Sequence, residues 1–181
     1  MEMSSTRTIA APPADVWRAL NDPDVLRECI PGCESLTRES DTQWHSVVAA
    51  RVGPVSARFN GTIDLADVNP PSGYTLRFKG QGGAAGFATG EAKVALSPAA
   101  GGTSLAYTAK AQVGGKLAQI GSRLIDGAAA KLADDFFERF AARFAAVEES
   151  TPARAEEARF PPWLAFTALA TLVVTAWLLM P

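Results

Sequence analysis

An amphipathic stretch covering residues 114–147 constrains the fold more than any other part of this sequence. Its apolar residues recur every three or four positions, which is the period of one helix face. They are Leu117, Ile120, Leu124, Ala128, Leu132, Phe136, Phe140 and Phe144. Charged side chains such as Lys131, Asp134 and Arg139 fall between them. The pattern therefore predicts one amphipathic helix with a solvent-exposed face and a buried face. At about 1.5 Å per residue this helix would be roughly 50 Å long, and we expect its apolar face to lie across a sheet.

Residues 34–113 show the alternation of an antiparallel meander. Apolar side chains occupy every second position, and turn residues recur about ten positions apart. The alternation predicts strands at residues 43–52, 55–65, 74–80, 88–97 and 105–113. A strand at residues 3–10 and two short helices, at residues 13–20 and 24–30, are predicted before the meander. The sequence therefore predicts an α+β fold in which a curved antiparallel sheet wraps around a long C-terminal helix, followed by a hydrophobic tail helix.

The inward positions of these strands carry little side-chain volume. They include Gly61, Gly80, Ala88, Gly90, Ala92, Ala109 and Ala111, and the N-terminal half of the predicted helix adds Gly121 and Gly127. Because protein interiors are close-packed, either the helix lies very close to the sheet or a cavity remains between them. Small residues on both facing surfaces favour a preformed apolar pocket. We expect the residues that contact its ligand to be Phe59, Phe78, Gly90, Tyr107, Leu117, Ile120, Gly121 and Leu124.

Charge and residue types argue against several classes of function. The formal net charge is -2 and the folded part has no basic cluster, which argues against a nucleic-acid partner. No metal site is expected, because His45 is the single histidine and Cys29 and Cys33, expected to be reduced, are the two cysteines. No catalytic residues are assembled in any recognisable pattern. The glycine-rich segment at residues 80–87 lacks the Gly-Lys-Ser/Thr signature of a phosphate loop.

The chain ends in a polar segment and then an apolar one. Residues 148–162 are charged and rich in proline, which is typical of a linker after a domain at residues 1–147. Residues 163–180 carry no charge and would span about 27 Å as a helix, so we predict a tail anchor in the membrane. Its lipid-facing residues would be Trp163, Leu164, Phe166, Leu169, Leu172, Val173 and Trp177. Alternatively, the segment is too marginal to insert and docks in a groove of the domain or of a partner.

Five short motifs carry a family resemblance. They are IPGCESL at residues 30–36, GPV at 53–55, FNGT at 59–62, GGAAGFA at 82–88 and QVGGKLAQIGSRLID at 112–126. Together they resemble the G-subunit family of carbon monoxide dehydrogenase over about residues 2–147. The order of strands and helices is similar to the helix-grip fold of the START/polyketide-cyclase-like superfamily, where the long helix closes a hydrophobic cavity.

The resemblance implies an accessory protein that is not a catalytic subunit. Such a protein would recruit a cytoplasmic molybdenum hydroxylase of the carbon monoxide dehydrogenase type to the inner face of the cell membrane. The start of the chain has neither a basic nor an apolar leader, which also leads us to expect a cytoplasmic domain. An apolar cavity tethered to lipid could take up a respiratory quinone, either ubiquinone or menaquinone, and shield its insoluble tail. No covalent cofactor is expected.

Two other functional classes stay open at this stage. The chain could be a cyclase or hydrolase of the same superfamily, for which Tyr107 is the one candidate acid or base inside the cavity. It could instead be an adaptor that carries no ligand and contacts the dehydrogenase through outward residues such as Arg58, Arg77 and Lys79.

Overall fold

The computed structural model describes residues 1–150, and its compact unit covers Met1–Glu148. The strands are β1 (Glu2–Ile9), β2 (Cys33–Arg38), β3 (Gln43–Val52), β4 (Val55–Asn69), β5 (Gly73–Gln81), β6 (Phe87–Ala99) and β7 (Gly102–Gly114). The helices are α1 (Pro13–Leu20), α2 (Pro23–Cys29), α3 (Lys116–Gln119) and α4 (Ser122–Ser150), and a 3₁₀ turn covers Gly83–Ala85. Residues 151–162 of the predicted linker and the predicted membrane segment, including Trp163, Leu164, Phe166, Leu169, Leu172, Val173 and Trp177, lie outside the described residues.

The strands form a seven-stranded antiparallel sheet in the order β1-β7-β6-β5-β4-β3-β2. This arrangement confirms the predicted meander and adds β2 to it, which the sequence did not predict. Each strand from β2 to β6 pairs with the next one along the chain. β1 pairs with β7 at one edge of the sheet, and β2 forms the opposite edge. The segment with α1 and α2 connects these two edges. The start of α2 is well specified locally, since the Asp22 side chain accepts hydrogen bonds from the backbone N–H groups of Asp24 and Val25 at 2.9 and 3.3 Å.

The prediction of one uninterrupted helix over residues 114–147 is wrong. The chain forms the single turn α3, breaks at Gly121, and then begins α4. Gly121 has φ +97°, and Gly115, which precedes α3, has φ +74°. Backbone in this left-handed region cannot belong to a right-handed helix, and only glycine adopts it readily. The periodicity of side chains does not detect such a break, because it is a backbone property.

The main core lies where α1, α2 and the C-terminal half of α4 meet the sheet. Its most deeply buried residues are Ile9, Val16, Cys29, Leu105 and Phe140, each at most 1% exposed. The α4 rings are packed in series, with centroids 5.7 Å apart for Phe136–Phe140 and 5.4 Å apart for Phe140–Phe144. In the C-terminal half of the predicted helix face, burial is thus confirmed for Phe140, while Phe136 and Phe144 are half-buried and Leu132 is exposed.

Several glycines on the sheet make room for aromatic rings rather than for a ligand. A Cβ atom added at Gly90 would lie 2.6 Å from Cζ of Phe78, its partner on β5. A Cβ at Gly114 would collide with the ring of Phe87, its partner on β6, and one at Gly82 would collide with the ring of Phe59. Part of the missing volume that the sequence indicated is therefore filled by rings from the neighbouring strands.

Candidate ligand cavity

An apolar cavity of about 220 Å³, partly open to solvent, lies against the sheet beneath the aromatic half of α4. Phe136 and Phe137 line it from the helix, and their rings meet edge to face at 5.0 Å. Phe137 also stacks on Tyr107 of β7, with centroids 5.1 Å apart. The remaining lining residues come from the sheet and from the α1–α2 region: Leu20, Leu26, Ile30, Trp44, Ile63, Leu65, Tyr74, Leu76, Ala92, Val94 and Leu105.

The predicted pocket and the observed cavity share one ligand-contacting residue, Tyr107. Leu124 is 55% exposed, so the prediction that it points into the interior is wrong, and Leu132 is also exposed. Leu117 is buried in α3, and Ile120 lies next to the β3–β4 turn at Gly53. Phe59, Phe78, Gly90, Leu117, Ile120, Gly121 and Leu124 do not line the cavity.

The difference in position between the predicted pocket and the observed cavity has a physical cause. Small residues indicated space beneath the N-terminal half of the helix, and Leu124 was expected to face it. Residues four apart drift by about 40° per step around a helix with 3.6 residues per turn. Leu124 therefore lies on the opposite side of α4 from the buried Phe140, and Ile125 is buried in its place. The cavity lies beneath the bulky half, between large side chains whose rings meet at their edges. Large residues such as Phe136 and Phe137 indicate a filled core when they are considered from the sequence alone, so the sequence did not point to a cavity there. In the strand pattern, the alternation that places His45 on the outer face places its neighbour Trp44 on the inner face. This alternation could have identified Trp44 as a residue of the cavity wall.

The cavity offers polar groups that are neutral at physiological pH. Burial raises the pKa of Tyr74 to about 12. Burial also raises the pKa of Tyr107, an effect that nearby Arg7 opposes and Asp134 reinforces. The third polar group is the indole N–H of Trp44. No carboxylate, histidine, lysine or cysteine is among the lining residues, so the cavity as described holds no acid–base pair.

The polar residues considered elsewhere in the sequence have ordinary structural roles. His45 lies on the outer face, where its Nε2 is 3.0 Å from Glu39. Cys29 and Cys33 are free thiols, and burial raises the pKa of both. Within residues 1–150, no group of three potential ligands is placed to hold a metal ion.

The outward cations proposed for an adaptor differ in their surroundings. Arg58 pairs with Glu34 at 2.9 Å, and Arg77 pairs with Glu91 at 3.0 Å. Lys79 forms no ion pair with any residue of the part of the chain that the structure describes. Lys79 is therefore the one of the three whose charge is available to a partner.

The family model of the carbon monoxide dehydrogenase G subunit (CoxG) matches residues 6–145. The chain belongs to the CoxG family. The match covers the second half of β1, all of β2 to β7, α1 to α3 and most of α4, and it includes every residue that lines the cavity. CoxG is an accessory family rather than a family of catalytic subunits, and its name associates it with carbon monoxide dehydrogenase.

Solved structures support the same fold. A conserved protein from Geobacillus kaustophilus is 32% identical, with a TM-score of 0.75 over 80% of this chain and 95% of that one. A protein from Rhizobium leguminosarum is 18% identical, with a TM-score of 0.62 over 80% and 94% of the two chains. A protein from Mycobacterium smegmatis is 15% identical, with a TM-score of 0.62 over 81% and 92%. These neighbours fit the helix-grip fold expected for CoxG. A comparison with curated proteins finds no match.

Among residues 1–150, no helix is both long and apolar enough to cross a membrane.

Proposed function

We propose that this CoxG-family protein is a non-catalytic carrier that holds a respiratory quinone in its cavity and serves a molybdenum hydroxylase of the carbon monoxide dehydrogenase type at the membrane. The observation that carries the proposal is the apolar cavity itself, whose lining includes neutral polar groups and no acid–base pair. Burying a quinone there would remove apolar surface from water, which favours binding by roughly 25 cal/mol per Å². The lack of acid–base residues makes a cyclase or hydrolase a weaker alternative.

The volume of the cavity limits what enters it. An apolar cavity of about 150 Å³ holds one benzene molecule, so about 220 Å³ fits a substituted ring or a two-ring head. A long isoprenoid tail needs further space. Ile63 lines the cavity and pairs with Phe78 on β5, and Phe78 and Phe59 are half-buried on the same inner face. We expect the isoprenoid tail to run over the rings of Phe59 and Phe78. These two residues would then contact the ligand, as the sequence analysis predicted, but outside the cavity.

The membrane and partner parts of the proposal depend on other regions. We propose that residues 163–180 attach the protein to the cytoplasmic face of the cell membrane, since they are apolar and uncharged. The dehydrogenase would then meet its quinone without entering the bilayer. Lys79 supports contact with an acidic partner surface, because its charge is not neutralised by the sheet.

Filling the cavity tests the carrier role. Ala92 lines the cavity on β6, whereas Ala95 on the same strand is exposed on the opposite face. Ala92→Leu should lower the quinone recovered by organic extraction and mass spectrometry at least tenfold, because the added side chain occupies the site. Ala95→Leu should leave recovery unchanged. Gly90→Leu is a poorer probe, because a Cβ at Gly90 collides with the Lys110 carbonyl.

The same purifications also distinguish carrier from adaptor. Quinone-free wild-type protein that still captures the dehydrogenase from native membranes would overturn the carrier role and leave recruitment. If it is an adaptor, Lys79→Glu should weaken that capture, while Arg77→Glu would also break the ion pair with Glu91 and is a less clean change.

A further inference from the structure

One polar group in the wall of the cavity is left without a partner. Trp44, near the start of β3, is 3% exposed and lines the cavity. Its Nε1 is buried, and no acceptor lies within hydrogen-bond distance of it. Among the described residues it is the one buried side-chain nitrogen or oxygen in this condition.

An unpaired indole N–H in this position calls for an explanation. The group can only donate, and a buried donor without an acceptor costs free energy because it has lost its hydrogen bond to water. Natural proteins pair nearly all such groups. Solvent does not reach Nε1 in this fold, so water does not satisfy it. Trp44 pairs with Ile63 across the β3–β4 ladder, and both side chains belong to the cavity wall.

We propose that the Trp44 indole N–H donates a hydrogen bond to an acceptor oxygen of the cavity ligand, such as a ring carbonyl. The inference rests on the proposed function, because it requires that the cavity binds a ligand. The hydrogen bond would make the cavity selective, because a ring that bears a carbonyl would bind more tightly than a hydrocarbon of the same shape. Apolar contacts alone cannot make this distinction, since they respond to shape and area. Because Nε1 is closed off from solvent, the proposal requires that a neighbouring apolar side chain moves aside when the ligand binds.

A matched pair of ligands and a matched pair of variants test this selectivity. The probes are 2-methyl-1,4-naphthoquinone and 2-methylnaphthalene, titrated into the full chain in detergent. Wild-type protein should bind the quinone more tightly than the hydrocarbon. Trp44→Phe should lower quinone affinity about tenfold, as expected for a lost hydrogen bond, and leave hydrocarbon affinity within about twofold. Trp17→Phe is the control, because Trp17 packs edge to face on Tyr74 at 5.6 Å and does not line the cavity.

The indole N–H signal of Trp44 gives a second readout in the wild-type protein. In a nitrogen-15 spectrum it should move downfield with the quinone and stay in place with the hydrocarbon, which tests the inference even if Trp44→Phe folds poorly. Equal affinities for both probes, or a quinone affinity unchanged by Trp44→Phe, would overturn the donor role while the cavity remains a binding site. If neither probe binds the wild-type protein, both the inference and the carrier function fail.

Discussion

At Tyr107 the sequence and the structure agree on the position and differ on the chemistry. The residue lines the cavity as predicted, but burial raises the pKa of its hydroxyl further above neutral pH, and its ring stacks on Phe137. Tyr74, which the sequence analysis did not select, lies deeper in the same wall. Both side chains therefore supply aromatic surface and a neutral hydroxyl, which suits a binding site more than a catalytic one.

The burial of Tyr74 predicts a loss of stability in alkaline solution. Its pKa is about 12 in the folded state against an ordinary value of 10.0, so folding favours the protonated form. The stabilisation is complete below pH 10 and is lost as the pH rises from 10 to 12, by about 2–3 kcal/mol in total. Urea unfolding between pH 9 and 11.5 should show a smaller loss for Tyr74→Phe than for the wild type. An equal loss in both proteins would mean that other groups determine the alkaline limit.

At the scale of the element, α4 is the part of the fold that the sequence described least accurately. In its C-terminal half Phe140 is buried and Phe136 and Phe144 are half-buried, as the periodicity predicts. Leu124 and Leu132 are exposed, because a four-residue spacing drifts around a helix with 3.6 residues per turn. Gly121 and Gly127 both face open space, with no atom within 4 Å of an added Cβ. They differ in backbone conformation, since Gly127 is helical and Gly121 has φ +97°.

This difference predicts opposite effects of the same substitution. Gly127→Ala should stabilise the protein by about 0.5–1 kcal/mol, because alanine loses less conformational entropy in a helix. Gly121→Ala should destabilise it by about 1–2 kcal/mol, because a Cβ disfavours positive φ. Denaturant unfolding of the two variants measures both effects. A stabilising Gly121→Ala would argue for a continuous helix through α3 and α4.

The α2 N-terminus offers a second test at this scale. Asp22→Ala removes the acceptor for the N–H groups of Asp24 and Val25 and should lower the free energy of unfolding by about 1 kcal/mol. Asp22→Asn keeps an acceptor oxygen and should recover most of that loss. If both variants lose the same amount, the cap contributes through its charge rather than through its hydrogen bonds.

At the scale of the whole molecule, the cavity lies in the compact unit, whereas the proposed membrane segment at residues 163–180 lies outside it. Ligand binding and membrane attachment should therefore be separable. Because every lining residue lies within residues 20–137, removal of residues 163–180 should abolish co-sedimentation with lipid vesicles and leave naphthoquinone affinity within about twofold. The full chain with Ala92→Leu is the converse control, which should sediment normally and bind poorly. Loss of both properties on truncation would show that the tail contributes to the binding site itself.

Six of the seven strands, the two short helices, the burial of Phe140 and the family could be read from the sequence, because alternation, turn residues and motifs are local properties of the chain. The strand β2 and the pairing of β1 with β7 could not, because they depend on contacts between distant segments. The position of the cavity was decided only by the tertiary structure. Gly90 looked like missing volume until the ring of Phe78 was seen to lie over it. Conversely, Phe136 and Phe137 suggested a filled core and instead form one wall of an open space. A sequence gives the volume of each side chain separately. A cavity depends on which side chains from distant segments pack against one another, and only the folded structure shows that packing.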